Sequence, residues 1–249
     1  MKKYLVITLL VALVMAWHLP ALAGKIVVNN DEWPLSDSGF FAPNDPGVFA
    51  TNVAAWFLGG SGTGKFHAYS TNLGLTGSSL ATAMANAGHT WTTGTGITFN
   101  LSTLQTYNGI FLGGDSADNN VLIQYVEAGG NVYLMGGTGW GGAPNEAARW
   151  NTFLNHFGLQ FASSYNGVSG NIAISSTHPI FAGVDSLWQG NGQDVSDILP
   201  ADPRNQILVS LSGHGLYAVY DSAIPVPPAV WLLGSGLVGL LGWRRVSKD

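Results

Sequence analysis

Three short polar stretches hold the residue types from which a binding site could be built: Asn30-Asp31-Glu32-Trp33, Gly113-Gly114-Asp115 and Gly136-Gly137-Thr138-Gly139-Trp140, with His178 before Pro179 as a fourth point. A carboxylate beside an indole can accept sugar hydroxyls while the ring covers the apolar face of the sugar. A carboxylate near an imidazole can instead move a proton in a hydrolysis. Asp31, Glu32, Trp33, Asp115, Thr138, Trp140 and His178 are therefore the candidate ligand-binding residues. None is given a catalytic role, because pairs such as Asp31 with Glu32 or Asp194 with Asp197 become acid and base only through geometry. No serine stands in a G-x-S-x-G turn.

Other chemistry is excluded or weakened by composition. The chain has no cysteine, which removes disulfides, thiolate metal sites and a cysteine nucleophile. His67, His89, His156, His178 and His214 show no metal-ligand spacing. Asp115, Asp118, Asn119 and Asn120 do not follow the spacing of an EF-hand and read better as a helix cap. Gly59 to Lys65 (GGSGTGK) has the outline of a phosphate loop, but Phe66 replaces the hydroxyl that would hold magnesium. No metal and no cofactor is expected. Charged residues make up 9% of the chain and its net charge is −5, a balance that disfavours nucleic acid as a partner.

The elements that must position these stretches alternate between strand and helix. Strands are expected at Lys25 to Asn29, Lys65 to Ser70, Thr90 to Thr93, Asn108 to Leu112 and Asn131 to Met135. A helix is expected to open at Asp45-Pro46 with Asp45 as its cap, and others to run through Leu80/Met84, Val121/Tyr125 and Trp150/Phe153/Leu154/Phe157. Beyond Gly158 the chain turns β-rich, with strands at Leu159 to Ala162, Asn171 to Ser175, Gln206 to Leu211 and Leu216 to Tyr220. Strands joined through helices lie parallel. The expected fold is α/β: a three-layer, mostly parallel, flavodoxin-like sheet with a β-rich C-terminal extension and, beyond it, a C-terminal transmembrane helix. Ligands bind at the carboxyl ends of such strands, where the three polar stretches fall. Trp33, Trp140 and Trp188 lie in polar loops, and together on one rim they would favour glycan contact.

Both ends of the chain read as addresses. Residues 1–23 form a signal peptide: a basic start, an apolar run from Tyr4 to Trp17, and Ala21-Leu22-Ala23 as the cleavage site. Residues 24–223 form one domain. Residues 224–249 run Ile-Pro-Val-Pro-Pro, the apolar segment Ala229 to Trp243, then Arg244-Arg245. The segment is about 15 residues, short of the roughly 20 of a comfortable span. Pro225, Pro227, Trp231, Gly236, Gly239, Arg244 and Arg245 stand where the PEP-CTERM sorting signal of exosortase substrates has them, and the tail resembles that signal. Val226 replaces the acidic residue between the prolines. The resemblance implies a protein processed by signal peptidase and by an exosortase-type membrane protease or transferase. It would be held transiently at the inner membrane with its C-terminus cytoplasmic, then delivered to the cell surface. An ordinary membrane anchor is the alternative.

The central region is similar, more faintly, to the class I glutamine amidotransferase-like superfamily. The similarity rests on a strand ending Gly113-Gly114-Asp115, a helix, Glu127 to Asn131, a strand, Gly137-Thr138-Gly139, and the run His178 to Val184. In catalytic members a cysteine occupies the turn where Thr138 stands, and Ile180 falls where a Glu would support the His, so glutaminase activity is not expected. The function expected is that of an exported, surface-sorted, non-catalytic protein associated with extracellular polysaccharide. A secreted hydrolase of glycan or peptide, and a multi-copy structural subunit, are the alternatives.

Overall fold

The computed structural model describes residues 24–223 except residue 42. Its frame is a seven-stranded sheet. The parallel strands are β1 (Lys25–Asn29), β2 (Lys65–Tyr69), β3 (Thr90–Thr93), β4 (Gly109–Leu112) and β5 (Asn131–Met135). β1 and β2 are joined through α1 (Pro46–Phe57), and β2 and β3 through α2 (Leu73–Thr76) and α3 (Ser78–Asn86). α4 (Leu101–Leu104) precedes β4, α5 (Asn119–Glu127) precedes β5, and α6 (Gly142–His156) follows it. The chain continues through β6 (Leu159–Tyr165), β7 (Ser169–Ala173), β8 (Ser186–Gly190), β9 (Gln193–Asp197), β10 (Asn205–Leu211) and β11 (His214–Asp221).

Strand composition explains why the sheet is buried on both faces. β4 (GIFL) and β5 (NVYLM) are buried at every position, as strands covered by helices must be. Val27, Phe111, Tyr133 and Tyr217 face α1 and α3, while Ile26, Ile110, Val132 and Ala218 face α5 and α6. Trp150 and Phe153 of α6 are fully buried against that second face. Short polar side chains cap α2 and α5: Asn72 accepts from the Gly74 amide (2.7 Å) and Asp118 from the Asn120 amide (2.9 Å). Asp45 lies at the start of α1 but makes no cap bond. Its carboxylate instead accepts from the Asp185 amide at 2.9 Å, tying the helix start to the approach to β8.

The expected fold needs correction in three respects. First, the strand order is β10-β11-β1-β5-β4-β2-β3. The order β3-β2-β4-β5 follows the flavodoxin pattern, but β1 stands where that pattern has its last strand. Second, the β-rich C-terminal part is no appendage. β11 pairs antiparallel with β1 and continues the main sheet, while the ribbons β6–β9 and β7–β8 cover its two faces. Third, no helix among the described residues is long and apolar enough to cross a membrane; the span expected over 229–243 lies outside the described residues, as do the signal peptide and the sorting motif.

The connections after β1 and β2 lie on one face, and those after β3, β4 and β5 on the other. Reversal of direction within a sheet requires this when crossovers are right-handed. Two neighbouring strand pairs, β1/β5 and β2/β4, therefore send their following chain to opposite faces. Each pair is a topological switch point, where a crevice opens at the carboxyl ends. The two ends of the described segment lie at the opposite pole: Lys25 is paired with Asp221, and the Ser222 amide donates to the Gly24 carbonyl at 3.2 Å.

Candidate functional site

The crevice between β1 and β5 is not open. The chain between β8 and β9 lies across it. The Gln193 amide donates to the Asn30 carbonyl (3.0 Å), and its side-chain oxygen accepts from the Gly137 amide (3.1 Å). The side-chain nitrogen donates to Ala143 and Ala162 carbonyls, and Gln193 is fully buried. A side chain at Gly137, whose φ is +66°, would meet the Gly192 Cα at 2.9 Å. Only glycine suits both the backbone and the space there.

Asp31 lies under this plug, fully buried. One carboxylate oxygen accepts from the Gly190 amide and the other has no partner. Burial, opposed by the backbone N–H groups around it, pushes its pKa up to about 7. Around it a buried polar group includes Asn29, whose amide donates to the Tyr133 hydroxyl (2.9 Å), and Gln189, whose amide donates to the Tyr217 hydroxyl (2.8 Å).

The second crevice, between β2 and β4, is cross-linked by small polar side chains. Ser70 donates to the Gly113 carbonyl at 2.5 Å, and the Thr71 amide and hydroxyl both donate to Asp115, at 2.5 and 2.9 Å. Asn72 reaches across to Glu32 at 2.5 Å. Glu32 is 8% exposed, and burial raises its pKa despite that bond.

Thr138 and Trp140 are held by α6, through two residues that the sequence did not single out. Glu146 accepts from the Thr138 hydroxyl at 2.6 Å and from its amide at 3.2 Å. Its pKa is raised by burial and by the charge of Glu32. Arg149 stacks on Trp140, 3.6 Å from the ring centre, and donates to the Gly114 carbonyl at 2.6 Å. Replacing Thr138 by Val leaves the buried Glu146 carboxylate with one donor fewer. The expected cost is about 1–3 kcal/mol, larger at pH 8, where the ionised form must be held, than at pH 4; urea unfolding at the two pH values measures it.

Six of the seven candidate residues thus lie at one pole, at the carboxyl ends of the strands. His178 does not. It begins the short 3₁₀ turn Pro179–Phe181, and its ring stacks edge-on, at 5.2 Å, against Trp56, whose carbonyl accepts from Lys25 at 2.7 Å at the start of β1, the pole opposite the strand carboxyl ends. No acid–base pair joins it to Asp31, Glu32 or Asp115. Thr138 has Glu146 as its hydroxyl partner, with no imidazole in reach of that bond.

The open surface at this pole lies beside the plugged crevice, around Trp33 and Trp188. The two rings meet edge to face at 5.3 Å. Trp188 projects outward because β8 alternates, with Leu187 and Gln189 inward and Trp188 and Gly190 outward. Trp33 packs against Gly190, where any side chain would overlap its indole. Comparison with protein-family models, curated proteins and solved structures finds no match for the chain.

Proposed function

We propose that this chain is an exported, surface-sorted protein without catalytic activity, which associates with extracellular polysaccharide once both of its ends have been processed. Signal peptidase would act after Ala23, and an exosortase-type enzyme would act on the tail that carries Pro225, Pro227, Trp231 and Arg244-Arg245. The observation that carries the reading is the state of the strand-end carboxylates. Asp31 and Glu146 are buried and Glu32 nearly so, each is tied to backbone or side-chain donors of its own fold, and the crevice above them is filled by Gln193. Carboxylates buried beneath the plug in this way argue against hydrolysis within the crevice. The hydrolase alternative drew on Asp31, Glu32, Asp115 or His178, and His178 lies at the other pole, beside Trp56 and Lys25.

Two measurements test the proposal. The intact mass of the protein recovered from its producing cell is expected to begin at Gly24 and to lack residues beyond the proline-rich segment; a mass retaining Trp231 to Asp249 would refute tail processing. Co-sedimentation of that same protein with the polysaccharide extracted from the producing cell's surface is expected to deplete it from solution, and its failure to deplete would refute the polysaccharide association.

A further inference from the structure

Two open clefts flank the Trp33–Trp188 pair. One, of about 410 Å³, is lined by Trp33, Ser36, Asp37, Leu73 and Thr76. The other, of about 360 Å³, is lined by Phe41, Asn44, Asn171 and Trp188, and Ser38 belongs to both. Each volume is within the range of about 300–1,000 Å³ typical of small-molecule sites. Leu73 is 48% and Phe41 69% exposed, so apolar surface faces water at both ends of the pair. Asn171 stands opposite Trp188 in the β7–β8 ladder, on the same outward face.

The chemistry of this surface is mixed in a particular way. Flat or edge-on indoles offer apolar area to the C–H faces of a pyranose ring. Hydroxyl, amide and carboxylate groups between them can take the sugar hydroxyls. The rings are held in place: Trp33 rests on Gly190, and the Gly190 amide is fixed by Asp31. A prepared surface of this kind loses little entropy on binding.

Charge narrows the ligand further. Residues 24–223 contain four cations, Lys25, Lys65, Arg149 and Arg204, against thirteen carboxylates. Lys25 lies over Trp56 and Lys65 over Tyr107, Arg149 is stacked on Trp140, and Arg204 is paired with Asp202 at 2.6 Å. None lines either cleft, whereas Asp37 lines one and is held ionised by the backbone amides of Ser79 and Ser78. A uronate or sulfated chain would meet carboxylate without a counter-charge.

We infer that the Trp33–Trp188 clefts form a binding site for an uncharged, hydroxyl-rich glycan chain lying across both indoles, and that they select against polyuronates. The inference rests on the polysaccharide association proposed above and adds its site and its ligand class. The test is affinity electrophoresis of the full chain in gels containing a soluble neutral β-glucan or, separately, alginate. The wild-type chain is expected to be retarded by the glucan and at least tenfold less by alginate. Trp188→Ala is expected to weaken glucan binding at least tenfold, and Trp188→Phe, which keeps a ring, to stay within about threefold of wild type. Equal binding by wild type and Trp188→Ala, or tighter binding of alginate than of glucan, overturns the site or the ligand class. If the protein binds its own matrix polysaccharide and Trp188→Ala binds it equally, only this inference fails. If wild type does not bind that matrix at all, the functional reading fails as well.

Discussion

Asp31→Asn is expected to make the protein more stable relative to wild type as pH rises, by about 4 kcal/mol between pH 4 and pH 8. The carboxylate is fully buried, one of its oxygens has no donor, and the neighbouring Glu32 adds a like charge. Its pKa stands at about 7 in the fold against the ordinary 3.8. Each tenfold difference in proton affinity corresponds to about 1.4 kcal/mol. The sign follows from proton binding. Between pH 4 and 7 the folded protein keeps a proton that the unfolded chain has released. The stability contributed by Asp31 is thus fully present below the unfolded value and is lost as pH rises through about 7. An asparagine oxygen can still accept from the Gly190 amide and carries no charge to bury. Urea unfolding of both proteins at pH 4, 6 and 8 reads the difference directly; a gap that stays constant across this range would contradict the burial of an ionised Asp31 at neutral pH.

Gly192→Ala is expected to destabilise the protein by about 3 kcal/mol or more, the upper end of overpacking costs. A Cβ at this position would overlap the carbonyl of Asn30. That carbonyl cannot retreat: the Asn30 amide is bound to Leu216 at 2.9 Å and its carbonyl accepts from Gln193 at 3.0 Å. Relief requires lifting the β8–β9 turn from the end of β1, which breaks the Gln193 plug. Gly96→Ala is the control, since a Cβ there meets nothing within 4 Å and the backbone needs no positive φ. Its unfolding midpoint in urea is expected to match wild type, while that of Gly192→Ala falls. Equal midpoints for all three would show that the turn is not seated on β1.

The parts of the fold that could be read in the sequence are those in which local pattern and burial agree. β1, β4 and β5 are apolar runs ended by Asn or Gly, and the stripe Trp150/Phe153/Leu154/Phe157 marks the face of α6 that packs on the sheet. Those runs also brought six candidate residues to one pole. β8 and β9 were missed because their inward positions include Gln189 and Gln193, so the polar alternation points the wrong way. Both glutamines find only distant partners, Tyr217 for the Gln189 amide nitrogen and the Gly137, Ala143 and Ala162 backbone for Gln193. Glu146 lies in a stretch, Gly141 to Ala148, that looks solvent-facing until Thr138 folds over it. The place of β1 beside β5, the pairing of Trp33 with Trp188 and the removal of His178 to the far pole depend on long-range packing, of which short sequence windows hold no trace.

The closeness of Gly24 to Ser222 bears on how the domain would withstand a mechanical load. A domain gripped at its C-terminal end and pulled by a ligand at the Trp33–Trp188 pole takes tension lengthwise along β11. The ladder to β1, in register from Asn29/Tyr217 to Lys25/Asp221, then resists as a unit in shear, because its hydrogen bonds run perpendicular to the strands. Tension applied between Gly24 and Ala223 would instead peel β1 from β11 one pair at a time. The same ladder is strong under tension carried along β11 and weak under tension applied between its two neighbouring ends.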